Sequence, residues 1–169
     1  MESGEIQIKG PHVFRGYLDN PEATEEAFDD GWYKTGDLGK LDDEGYLTVT
    51  GRVKELLVTA GGENVQPAVL EDALRRHTLI SEVVVVGDRE RFVGAMITLD
   101  GEMLPGWLKT NGLPSMSVEE AGRHPKVREA IDTAVKYANE NVNRAQSIRK
   151  YVVLPRDLEQ TKDELSASL

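Results

Sequence analysis

Apolar and polar positions alternate in two short stretches of the first third of the chain, Ile6-Gln7-Ile8-Lys9 and Tyr46-Leu47-Thr48-Val49-Thr50. That period of two is the mark of strands with one buried face. Between them, Asn20-Pro21-Glu22 predicts the start of a short helix running through Phe28, because asparagine accepts an orphan helix N–H and proline fits the first turn. Asp30-Gly31 then marks a turn. Many glycines and turn signals make this part a β ribbon.

From Val53 onward the pattern changes to strands alternating with helices. Residues 54–59 read as a strand paired back on 46–50. Pro67 opens a helix that places Val69, Leu70, Ala73 and Leu74 on one face and Glu71, Asp72, Arg75 and Arg76 on the other. Residues 82–87 and 93–99, rich in β-branched side chains, supply the sheet that this helix covers, with a turn at 88–91. A short helical segment surrounds Trp107, and Ser117-Val118-Glu119-Glu120 has capping-box spacing. Pro125 begins the longest helix, with Val127, Ile131, Ala134, Val135, Ala138 and Val142 in helical period. Residues 148–154 return as a strand, and the polar tail after Pro155 is expected to fray.

The expected fold class is α+β: a β-rich segment followed by a small domain with a central sheet flanked by helices. A hinge at Gly51-Arg52-Val53-Lys54 divides the chain into residues 1–53 and 54–169, and the second part, about 115 residues, has an ordinary domain size.

Composition narrows the chemistry. A hydrophobic fraction of 39% and a charged fraction of 30% suit a folded soluble chain. The net charge of −10 repels polyanions and argues against nucleic acid as a partner. With no cysteine, thiolate ligands and cysteine nucleophiles are excluded. The start Met1-Glu2-Ser3-Gly4-Glu5 lacks the basic and apolar regions of a signal peptide. The apolar run Val83-Val84-Val85-Val86 is far shorter than the roughly 20 residues of a transmembrane helix. The expectation is a cytoplasmic protein with no transmembrane segment. His12, His77 and His124 are too scattered for a metal site, and none is expected in this segment.

Three clusters carry candidate chemistry. In Gly31-Trp32-Tyr33-Lys34-Thr35-Gly36-Asp37, a carboxylate held in a glycine turn can accept two hydrogen bonds from vicinal ribose hydroxyls; equally, Asp37 can simply cap the turn. In Thr50-Gly51-Arg52-Val53-Lys54-Glu55, strand alternation would point Arg52 and Lys54 to one face, either toward a ligand's oxygens or as charges guarding an edge strand. Thr59-Ala60-Gly61-Gly62-Glu63-Asn64 admits close backbone approach to a ligand, or is a plain connecting turn. Arg144, Arg149 and Lys150 form a basic group that suits either phosphates or a solvated surface.

In order and spacing, Gly4-Glu5-Ile6-Gln7-Ile8-Lys9-Gly10 with Gly16-Tyr17, Tyr33-Lys34-Thr35-Gly36-Asp37, Gly51-Arg52-Val53-Lys54-Glu55-Leu56 and Gly61-Gly62-Glu63 resemble successive core motifs of the adenylate-forming superfamily. That superfamily comprises acyl-CoA synthetases, peptide-synthetase adenylation domains and beetle luciferases. The resemblance implies that Asp37 and Arg52 meet the ribose of ATP or of the acyl-adenylate, with Tyr33 and Thr35 near the nucleotide. It further implies that residues 1–53 are the β-rich remnant of the large N-terminal domain and residues 54–169 the mobile C-terminal α+β domain, that Lys54 is the hinge, and that Gly61, Gly62 and Glu63 help form the CoA pantetheine tunnel. Lysine at the hinge, Gly-Gly-Glu-Asn-Val-Gln-Pro and the helical insert of residues 101–143 are similar to bacterial long-chain fatty acid CoA ligases.

The implied reaction couples a fatty acid, ATP with Mg²⁺, and CoA. The family's phosphate loop, magnesium-binding glutamate and acyl pocket precede the motifs seen here, and its adenylation lysine is expected just after Leu169; Lys162 lies upstream of that position. No catalytic residue is therefore assigned. The fragment alone is expected to be inactive, with the N-terminal domain its main structural partner. Peripheral membrane attachment of the parent stays open, as do two other readings: an adenylation enzyme loading acyl groups on a carrier protein, and a non-catalytic nucleotide-binding module.

Overall fold

The structure, a computed structural model, describes residues 4–158. The approach to the adenylation lysine expected at 163–169, like Lys162, lies outside the described residues. The fold is mixed α+β, and the chain divides into two compact units, Met1–Leu56 and Leu57–Leu169.

The first unit is a four-stranded antiparallel sheet. Strand β1 (Gly4–Ile8) leads to helix α1 (Pro21–Ala27), whose start is capped as expected: the Asn20 side chain accepts the Ala23 N–H at 3.0 Å. Strand β2 (Phe28–Asp29) turns at Asp30 and Gly31, φ +46° and +76°, into the long strand β3 (Trp32–Leu41). Two positive φ angles give the backbone twist that a two-residue hairpin needs. Strand β4 (Leu47–Arg52) pairs antiparallel with β3 across a loop closed by the Asp42 carboxylate, which accepts N–H groups from Glu44 and Tyr46. Leu38 is the one buried hydrophobic side chain among residues 4–56, whereas Leu41, Tyr46, Leu47 and Val49 are each more than half exposed. This sheet encloses no core of its own.

The second unit holds the core. Strands β5 (Leu57–Val58) and β6 (Asn64–Val65) form a small hairpin, followed by helix α2 (Pro67–Arg75). Strands β7 (Ile80–Val86), β8 (Val93–Leu99) and β9 (Ile148–Val153) make a sheet in that order, antiparallel between β7 and β8 and parallel between β8 and β9. The parallel return needs a long crossover. It is made by helices α3 (Leu104–Thr110), α4 (Val118–Arg123) and α5 (Pro125–Asn139). Leu70 and Leu74 of α2, Val127 and Ile131 of α5, and Val83, Ile97 and Leu99 of the sheet are all essentially inaccessible to solvent. The capping box expected at Ser117 is complete, with the Glu120 carboxylate returning to the Ser117 N–H at 2.9 Å. His77 and His124 act as caps, each ring accepting a backbone N–H two residues ahead. Among the described residues no helix is long and apolar enough to cross a membrane.

Two expectations are corrected. Residues 54–59 are not a strand paired on 46–50: β4 ends at Arg52, Val53–Glu55 is a 3₁₀ turn closed by the Leu56 N–H on the Val53 carbonyl, and Leu57–Val58 pairs forward with Asn64–Val65. The 3₁₀ turn at Val53–Glu55 interrupts the extended backbone after β4, so the strand does not run on into Leu57–Val58 and that pair finds its partner downstream. Strand alternation therefore does not relate Arg52 to Lys54. The second correction concerns Asp37, which caps no turn; it lies inside β3.

Candidate functional site

Asp37 is aimed by a bulge in β3. Glu5 pairs with Leu38 and Gln7 with Lys34, so three residues, Thr35, Gly36 and Asp37, stand opposite Ile6 alone. Extra residues on one strand bend it and redirect side chains. Gly36 supplies the needed backbone with φ +75°, a region unfavourable to side chains with a Cβ. Thr35 braces the bulge from within: its hydroxyl donates to the Ile6 carbonyl at 2.8 Å and accepts the Asp37 N–H at 3.0 Å. Glu5 Oε1 accepts the Gly36 N–H at 3.2 Å.

Across the ladder Asp37 pairs with Arg52, the last residue of β4, and Arg52 Nε stands 3.4 Å from Asp37 Oδ1. The sequence placed these residues in separate clusters; the strand register joins them. The Asp37 side chain is 34% exposed and that of Arg52 is 68% exposed. A carboxylate beside a planar guanidinium can accept from one hydroxyl of a vicinal pair while the guanidinium donates to the other.

Tyr33, Thr35 and Lys54 share an open cleft of about 510 Å³ with Glu5, Tyr17 and Gly36; Asp37 and Arg52 do not line it. Tyr33 belongs to an aromatic group with Phe14 and Phe28, ring centroids 5.1 and 5.6 Å away, and Phe14 also meets Tyr17 at 5.1 Å. Hydrogen bonding and charge coupling with the Tyr17 phenol, then desolvation and the Asp37 carboxylate, hold the Tyr33 phenol above its ordinary value. It is a neutral donor at physiological pH. Glu5 and Tyr17 stand within the family-like motifs of the sequence, but nothing there gives either a role of its own. The alternation of residues 6–9 marks a strand but cannot say that Glu5 reaches an amide 31 residues on.

In the second unit, Gly61, Gly62 and Glu63 form the tip of the β5–β6 hairpin. Gly62 has φ +81° and its N–H meets the Thr59 carbonyl at 2.8 Å. Buried Thr59 closes the loop: its N–H donates to the Glu63 carbonyl at 3.0 Å, and its hydroxyl accepts the Glu63 N–H at 3.2 Å. The tip itself is exposed, so its glycine backbone is open to a ligand. Of the basic group, Arg149 donates to the Arg144 carbonyl at 2.8 Å and the Lys150 ammonium lies 5.2 Å from the Phe92 ring centre. Among the described residues no cluster of three or more His, Asp or Glu could hold a metal ion.

Residues 54–167 match the model of the AMP-binding enzyme C-terminal domain. The chain belongs to this family. The resemblance to adenylate-forming ligases is thereby borne out. Long-chain-fatty-acid–CoA ligase FadD15 of Mycobacterium tuberculosis is 51% identical over 169 residues, covering 99% of this chain and 28% of the relative. Long-chain-fatty-acid–CoA ligase ACSBG2 of Gallus gallus is 39% identical over 187 residues, covering 98% and 24%. Among solved structures, o-succinylbenzoate CoA synthetase (MenE) from Bacillus subtilis, in complex with the acyl-adenylate intermediate OSB-AMP, superposes with a TM-score of 0.63 at 30% identity, covering 97% of this chain and 29% of that one. The chain thus spans about a quarter of the length of these relatives.

Proposed function

We propose that this chain is part of an AMP-forming long-chain fatty acid CoA ligase and carries its ribose contact, its interdomain hinge and its CoA loop. The reaction runs in two halves. A fatty carboxylate oxygen attacks the α-phosphorus of ATP and expels pyrophosphate, giving acyl-AMP; the CoA thiolate then attacks the acyl carbon and expels AMP. Mg²⁺ would enter with ATP and neutralise phosphate charge.

Residues 1–53 are the end of the large nucleotide-binding domain, and residues 54–169 are the mobile C-terminal domain. The observation that carries this reading is the Asp37–Arg52 pair at the end of β4, two residues before Lys54. Asp37 accepts hydrogen bonds from the ribose hydroxyls, Arg52 donates at the same sugar, and Tyr33 and Thr35 stand near the nucleotide. The backbone dihedrals of Lys54 turn the C-terminal domain between the two half-reactions, and Gly61, Gly62 and Glu63 then line the pantetheine path. The 51% identity to a fatty acid CoA ligase supports CoA as the acceptor. The exposed apolar side chains of β3 and β4 support coverage of this sheet by the rest of the larger ligase.

The test is substitution of Asp37 in the full-length ligase. Asp37→Asn keeps size but loses charge and one acceptor direction, and Asp37→Ala loses both. Pyrophosphate release should show KM for ATP raised at least about tenfold by alanine, the worth of charge-assisted hydrogen bonds, with asparagine intermediate. An unchanged KM for ATP in both variants would remove Asp37 from the nucleotide site.

A further inference from the structure

The hairpin that presents Gly61, Gly62 and Glu63 is too small to hold its own shape. Each of its strands has two residues, and an isolated ribbon of that length is not stable in water. On the β6 side it is held by Val65, buried in the core, and by Gln146 Nε2, which donates to the Asn64 carbonyl at 2.8 Å; on the β5 side its bracing comes from the turn between β7 and β8. Asp88 Oδ1 accepts the Val58 N–H at 3.0 Å, the Arg89 N–H donates to the Val58 carbonyl at 2.8 Å, and the Ala60 N–H donates to the Glu90 carbonyl at 2.9 Å. These three bonds run side by side from the last strand residue into the base of the loop.

The turn is fixed in turn by its own geometry. Arg89 sits at φ +58°, and the Glu90 N–H closes on the Gly87 carbonyl at 3.0 Å. A Cβ on Gly87 would lie 3.1 Å from the Phe92 carbonyl oxygen, so the backbone passes close there. Two of the three bracing bonds are backbone bonds that most residues could make. Of these three β5-side bonds, only the one to Asp88 depends on a side chain. The other Asp88 oxygen lies 3.7 Å from Arg89 Nε in an exposed pair, a contact of little energetic weight.

We propose that Asp88 is a positioning residue for thioester formation. Its carboxylate holds the Val58 amide, and through it fixes where the Gly61-Gly62-Glu63 backbone is presented to the pantetheine arm of CoA. This inference rests on the proposed role of that loop, and it assigns Asp88 no contact with substrate.

The experiment uses Asp88→Ala, Asp88→Asn and Gly62→Val in the full-length ligase, measuring pyrophosphate release and thioester formation separately. Gly62→Val strains the loop itself, because valine disfavours positive φ. Asp88→Ala should leave pyrophosphate release within about twofold, slow thioester formation roughly tenfold and raise KM for CoA, with Asp88→Asn recovering most of the loss because it keeps an Oδ1 acceptor. Equal slowing of both halves would overturn the proposal. So would an unchanged Asp88→Ala enzyme beside a Gly62→Val enzyme slowed only in thioester formation, which leaves the loop reading intact. If neither variant touches that step, the loop reading itself fails. In the 169-residue chain, amide exchange at Val58, Ala60 and Glu63 should rise together in Asp88→Ala while Val85 stays protected; a change confined to Val58 would contradict the coupling.

Discussion

Asp37 and Arg52 become neighbours through a backbone feature, the Gly36 bulge, and through a strand register that no local motif encodes. In the sequence, Gly36 and Gly39 about Asp37 predict a turn, because glycine on either side of an acidic residue is the ordinary signature of one. The same glycine serves a bulge as readily, and only pairing with β1 distinguishes the two. The roles of Glu5 and Asp88 are hidden in the sequence for a related reason: each is an acidic residue in an acidic chain, and its meaning lies in one amide reached across 31 or 30 residues. A different polar residue offers a cleaner test of the side-chain environment. The Tyr151 hydroxyl donates to Asp132 Oδ1 at 2.6 Å beneath the Arg128 guanidinium. Burial first, then that hydrogen bond, pushes its pKa up to about 12, with Arg128 opposing and the Asp132 charge adding. The folded state therefore binds this proton more tightly than the unfolded chain, whose tyrosine titrates near 10.0. Its contribution to stability is complete below pH 10 and is lost as pH rises toward 12. Besides the raised Tyr33 phenol, tyrosinate absorbance should show a late-titrating group that is absent in Tyr151→Phe; identical titrations of the two proteins would contradict this environment.

Helices α2 and α5 were legible because they are long enough to repeat their pattern. Leu70, Ala73 and Leu74, and Val127, Ile131, Ala134, Val135 and Ala138, all expected on inner faces, are buried. Val142 continues the apolar period beyond the end of α5 and still packs on the core. The segment after β4 is not legible in the sequence, because residues 54–59 are too few for periodicity to separate a strand from a 3₁₀ turn followed by two strand residues. At the sheet edge, α2 does work that no pattern announces. Glu71 Oε1 accepts the Val85 N–H at 2.8 Å, and Arg75 donates to the Val83 carbonyl at 3.3 Å, so free backbone groups of β7 are satisfied by side chains. The core beneath is continuous, and truncating it has a defined cost. Leu70→Ala should destabilise the chain by about 2–5 kcal/mol in urea unfolding, against under about 1 kcal/mol for Val86→Ala on the partly exposed outer end of β7. Equal losses in the two variants would mean that α2 does not seal the core as described.

At the scale of the molecule, the two units differ in what holds them. The second encloses the core, and the first is a sheet whose apolar side chains remain largely open. Under the proposed function this asymmetry has a purpose: the first unit is a face of a larger domain, and the second is the part that turns. Lys54 lies within Val53–Glu55, between the Asp37–Arg52 pair and the second unit in sequence. Proline at this position locks φ and disfavours helical backbone at Val53, so it restricts the dihedral change a hinge must make. The most direct test of the account is Lys54→Pro in the full-length ligase, with the two half-reactions followed separately in single turnovers. Pyrophosphate release should continue at close to the parent rate while transfer of the acyl group to CoA slows by at least about tenfold, as expected when a conformational step gates the second half. Equal loss of both half-reactions, or of neither, would contradict a hinge at Lys54 and the division of labour built on it.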